Sequence, residues 1–105
     1  ITYAQDKVGI VTDNVEGGDP YKLRIYDREG SPVFEKTFNY QYTGFDIDGD
    51  LVLLYNDSSC KVYNMTGTEK YNGTFDFTVS KVSAGRFPGT LLVMGPQKMT
   101  EIKLQ

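Results

Sequence analysis

The sequence predicts an all-β fold built from repeated four-stranded antiparallel sheets, and three observations carry that expectation. The chain repeats itself: residues 23–38 (LRIYDREGSPVFEKTF) return 37 positions later as residues 60–75 (CKVYNMTGTEKYNGTF). Tyr26, Gly30, Thr37 and Phe38 there meet identical partners in Tyr63, Gly67, Thr74 and Phe75. Helical periodicity is absent, while 11 Gly and 4 Pro punctuate segments crowded with β-branched and aromatic residues. Finally, residues 51–55 (LVLLY) and 91–94 (LLVM) are apolar at successive positions, so a strand there needs cover on both faces rather than one.

The elements follow in order. The first unit takes strands at 2–5, 7–12, 21–26 and 32–38; the second at 42–48, 50–55, 59–63 and 68–75. A third is incomplete, with strands at 79–85, 90–94 and 99–104 and no fourth. Here Leu91, Leu92 and Val93 are expected where Leu51, Val52 and Leu53 stood, 40 residues earlier. The turns have suitable chemistry. Asp48-Gly49-Asp50 and Asn56-Asp57-Ser58 are polar breaks of hairpin size. Asp27 and Asn64 can each bond the backbone of their own turn, and Gly30 and Gly67, three residues on, accept the left-handed conformation that completes it.

Units of this period cannot bury their apolar faces alone and gain stability by stacking. The expected architecture is therefore about two and three-quarter propeller-type blades within one segment, at 1–39, 40–76 and 77–105, as part of a larger β-propeller. Ile1 in place of Met reads as a processed or artificial start. Open sheet faces predict self-association if the segment stands alone.

Composition narrows the function. A chain of 105 residues fits one small domain, and its 8 Tyr and 6 Phe offset a modest 39% apolar content. Net charge is −3 and the 11 Lys and Arg are scattered, so no basic stripe exists for nucleic acid. The apolar runs are too short for a bilayer, which predicts no membrane contact by this segment. A single Cys60 excludes an internal disulfide, and the absence of His removes the commonest general base and transition-metal ligand. No catalytic residue and no cofactor site can be named.

Tyr26, Asp27, Gly30 and Phe34, and again Tyr63, Asn64, Gly67 and Tyr71, form a unit that resembles the quinoprotein-like and WD-like propeller repeats. With no Trp in the chain, the tryptophans of both signatures are missing. The whole is also similar to an uncharacterised family of Gram-positive bacterial proteins in which one N-terminal membrane helix carries an extracytoplasmic propeller. That resemblance implies a fold and a place outside the membrane.

Candidate sites remain few. Asp46, Asp48 and Asp50 form the densest carboxylate cluster and resemble integrin-type calcium loops, but Leu51-Val52-Leu53 follows at once without the further ligands. The other copies have Ala4-Gln5-Asp6 and Ala84-Gly85-Arg86 at this place, so the cluster does not repeat and a plain polar hairpin competes with a metal site. Glu16, Gly17, Gly18 and Asp19, followed by Pro20, form an insertion relative to the second copy and are the best place for an interaction loop. Three Asn-X-Ser/Thr sequences begin at Asn56, Asn64 and Asn72, where turns expect such residues anyway. Cys60 stands where the first copy has Leu23 and reads as a buried structural thiol. The expected function is a non-catalytic interaction or scaffold module for a protein partner. The alternatives are an enzyme or ligand-binding propeller whose site lies in other blades, and a calcium-dependent adhesion module.

Overall fold

The computed structural model describes residues 2–3 and 6–104, and every regular element in them is a β-strand. The expected strand residues Ala4 and Gln5 lie outside the described residues. The strands are β1 (Thr2–Tyr3), β2 (Lys7–Asp13), β3 (Tyr21–Asp27), β4 (Pro32–Phe38), β5 (Gly44–Asp48), β6 (Leu51–Tyr55), β7 (Ser59–Asn64), β8 (Glu69–Thr74), β9 (Lys81–Ala84), β10 (Thr90–Met94) and β11 (Met99–Lys103). They form three antiparallel meanders, β1-β2-β3-β4, β5-β6-β7-β8 and β9-β10-β11, and none closes into a barrel. Among the described residues there is no helix long and apolar enough to cross a membrane.

The sheets pack in chain order, and alternation along each strand decides which neighbour a side chain meets. Leu23, Ile25 and Phe38 of the first sheet pack with Ile47, Val52, Leu54 and Tyr63 of the second. The opposite face of the second sheet carries Leu53, Cys60 and Val62, which pack with Val82, Leu91 and Val93 of the third. The central strand β6 thus buries Val52, Leu53 and Leu54 completely, each against the neighbour opposite to the last. Its unbroken apolar run follows from cover on both sides.

The same alternation corrects the third copy's alignment. Leu91 and Val93 face back toward the second sheet, as Val52 and Leu54 face back toward the first. Register agrees: Val52 pairs with Tyr63 and Leu91 with Ile102, while Leu53 pairs with Val62 and Leu92 with Glu101. Leu91, Leu92 and Val93 therefore correspond to Val52, Leu53 and Leu54, a spacing of 39 rather than 40. With a period of two, that single step exchanges inner for outer face.

The turns hold by the same device twice. The Asp27 carboxylate accepts from the backbone N–H of Glu29 and Ser31 at 3.0 and 2.9 Å, while Gly30 sits at φ 86°. Asn64 Oδ1 accepts from the N–H of Thr66 and Thr68 at 3.0 and 2.9 Å, with Gly67 at φ 83°. Each turn sits beside a bulge, at Ile25/Tyr26 and at Val62/Tyr63, that starts the fourth strand.

Polar ties join the sheets at their first strands. Thr2 Oγ1 donates to Asp46 Oδ1 at 3.2 Å, and Asp48 Oδ2 accepts from the Ala84 N–H at 2.9 Å. The Lys36 ammonium of β4 lies 5.1 Å above the Tyr63 ring of the next sheet.

Candidate functional site

A meander places the turns after its first and third strands at one end and the loop after its second at the other. The two sequence-derived candidates accordingly fall at opposite ends of the stack. At one end lies the turn 48–51, facing the loop 85–89 across an open cleft of about 510 Å³. Its lining includes Asp48, Asp50, Lys70, Arg86, Phe87 and Leu104.

The structure does not draw the three aspartates to one point. Asp46 is engaged by Thr2, by the N–H of Ile47 at 2.8 Å and by Lys81 at 3.9 Å. Asp48 is engaged by Ala84, and Asp50 stands beyond the turn made by Gly49 at φ 61°. At Asp46 and Asp48 a cation would have to displace these donors, with Lys70 and Arg86 lining the same cleft and opposing it. Among the described residues no group of three or more acidic or thiol ligands is placed to hold a metal.

At the other end the loop between β2 and β3 is organised around Asn14, a residue the sequence reading passed over. Its side-chain amide donates to the Gly17 and Asp19 carbonyls at 3.0 and 2.8 Å, and its backbone N–H donates to the Pro20 carbonyl at 2.8 Å. Gly17 and Gly18 take φ values of 88° and 81°, which explains two adjacent glycines at this position. Glu16 pairs with Lys22 at 3.6 Å, and Asp19 Oδ2 accepts from Thr37 Oγ1 at 3.2 Å. The loop therefore stands as a held projection, with Val15, directly after Asn14, 93% exposed. An exposed valine beside acids gave no signal in the sequence, because only the tethered backbone makes it a presented side chain.

Next to it, the loops of the first and second sheets are knotted together. Tyr21 Oη donates to Gln41 Oε1 at 3.3 Å, and Asn56 Nδ2 donates to the Gln41 carbonyl at 2.7 Å. Asn56 Oδ1 also accepts from the N–H and the hydroxyl of Ser59, whose oxygen lies 2.7 Å from that of Tyr40. Burial pushes the Tyr40 phenol up, so it offers Ser59 no base. Among the described residues every buried side-chain polar atom has a partner, so no orphaned group waits for a ligand.

The model of a family of unknown function, DUF5711, matches residues 1–104. The chain belongs to this family. No curated protein matches it.

The one thiol of this family member is shielded from solvent. Cys60 is fully buried between the second and third sheets, and burial pushes its pKa up to about 12. Above pH about 9 the unfolded chain ionises this thiol while the folded chain does not. Its contribution is therefore complete below that pH and is lost as the pH climbs toward 12. Burial likewise pushes Tyr40, Tyr63 and Tyr71 up, which adds to the loss above pH about 10. Denaturant midpoints measured from pH 8 to 11 should fall steadily, with a shallower fall in Cys60→Ala. An identical slope in the variant would show that the thiol is not shielded.

Proposed function

We propose that this chain is a non-catalytic interaction module, a run of propeller-type blades from a longer stack, which binds a protein partner through loops at the Asn14 end. One observation carries the stack. Val8, Ile10, Arg24 and Tyr26 occupy the face of the first sheet that points away from the second, with Val8 opposite Tyr26 and Ile10 opposite Arg24. In the second sheet the matching pairs are Val52 opposite Tyr63 and Leu54 opposite Lys61, and that face is buried against the first sheet. The first sheet thus offers another sheet of its kind the same apolar pair, cation and tyrosine that the second sheet offers to it.

Support for a binding rather than a catalytic role comes from chemistry. The chain has no His, its thiol is buried and protonated, and Val15, the most exposed large apolar residue among those described, stands on a loop held by side-chain hydrogen bonds. Placement outside the membrane rests on the family resemblance alone.

The stack is tested by labelling. In this chain Ile10→Cys should react with a maleimide, whereas Cys60 should not. In the full-length gene product the same cysteine should be shielded by the neighbouring sheet. Equal labelling in both proteins rejects a continuing stack. The loop is tested by a photo-crosslinker at position 15, whose adduct with a partner protein should disappear on Asn14→Ala. Adduct formation that ignores loop order removes this site.

A further inference from the structure

The outer edge of the third sheet differs from the outer edges of the other two. In the first sheet the last strand, β4, opens with Pro32 beside a bulge, and in the second β8 lies beside a bulge and contains Gly73. Proline, bulges and glycine each discourage a further strand from adding. β11 has none of these. It runs in unbroken register with β10 from Met99 opposite Met94 to Lys103 opposite Thr90. It also occupies the place of β3 and β7, each of which carries a fourth strand.

The hydrogen-bonding phase of this edge is fixed. Gly95 N–H donates to the Lys98 carbonyl at 2.7 Å and Leu104 N–H to the Gly89 carbonyl at 2.8 Å. Antiparallel pairs alternate, so residues 98, 100, 102 and 104 turn their backbone groups toward β10. Met99, Glu101 and Lys103 turn theirs to the open side. All three side chains are exposed, Met99 at 64%.

We infer that this edge pairs with β11 of a second copy, antiparallel about a two-fold axis through Ile102. Any β11 residue can sit on the axis and satisfy the phase. Centring on Glu101 or on Lys103 sets like charges face to face, which is unfavourable, and centring on Thr100 sets Met99 against Glu101. Centring on Ile102 sets Ile102 against Ile102 and Thr100 against Leu104, and places each Glu101 opposite the other copy's Lys103. Backbone bonds, apolar contact and both charge pairs agree only there. The contact is isologous and closes after two copies. It is independent of the open sheet faces invoked above, because it uses an edge.

Sedimentation of this chain over a range of concentrations tests the pairing, with amide exchange reporting the same edge. A dimer is expected, with Glu101 and Lys103 amides protected at high concentration and free on dilution. Glu101→Lys and Lys103→Glu should each weaken the dimer about tenfold, since two attractive cross-strand pairs become repulsive. The combined exchange, E101K with K103E, should restore it. Circular dichroism of each variant monitors the fold. A folded monomer at all concentrations overturns the inference, and so does failure of the double exchange to rescue. Protection of the two amides in a monomeric full-length gene product also overturns it, because a segment of the same chain then fills the edge.

Discussion

Leu53→Ala is expected to be among the most damaging single changes in this molecule. Leu53 is fully buried in the second sheet, next to Cys60 and Val62, and faces Val82, Leu91 and Val93 of the third. Truncation removes apolar contact and leaves a cavity that two sheets must close from opposite sides, at a cost of about 3–4 kcal/mol. A chain this size holds about 5–15 kcal/mol in all, so the apparent melting temperature should drop by more than 10 °C. Leu92, the corresponding residue of the third sheet, points to the outer face and is half-buried. Leu92→Ala should therefore cost about 1 kcal/mol or less. Urea titration of both variants checks the pair. Equal losses would mean that the corrected spacing of 39 residues is wrong, because the spacing of 40 turns Leu92 inward against the second sheet while Leu53 stays buried.

That contrast also shows what the sequence could express. Strand positions were legible because apolar and polar residues change with period two, and because Asp27 and Asn64 spell the same turn twice. The register of the third sheet was not legible. An apolar run such as Leu91-Leu92-Val93-Met94 says that a strand is buried without saying which residue faces which neighbour. The interaction loop was found as an insertion with two glycines, yet its organising residue was missed. An asparagine in a loop looks ordinary until its amide is seen spanning Gly17 and Asp19. The aspartate cluster, which the sequence left between a plain polar hairpin and a metal site, is spread out by the fold. Density along the chain implies convergence only if the backbone folds the oxygens inward, and here Asp46 and Asp48 serve as ties between sheets. The Val8/Ile10/Arg24/Tyr26 face lay in the sequence from the start, but its likeness to Val52/Leu54/Lys61/Tyr63 became visible only through the pairing register.

That likeness makes Tyr63→Ala and Tyr26→Ala a decisive pair. Tyr63 is 2% exposed, packs with Leu23, Ile25 and Val52, and has the Lys36 ammonium over its ring. Removing so large a buried ring should cost about 3–5 kcal/mol, with loss of the cation contact included. Tyr26 occupies the same place on the first sheet but is half-buried, with no sheet beyond it among the described residues. Its truncation here should cost about 1 kcal/mol. In the full-length gene product the expectation changes, because a neighbouring sheet on that face would make Tyr26 a second Tyr63. Denaturation of both variants in both proteins decides the matter. A Tyr26→Ala penalty that rises from about 1 to about 3 kcal/mol with chain length means that repeats continue past the first sheet. A penalty that stays small in the longer protein means that the stack ends at this face, and the propeller reading ends with it.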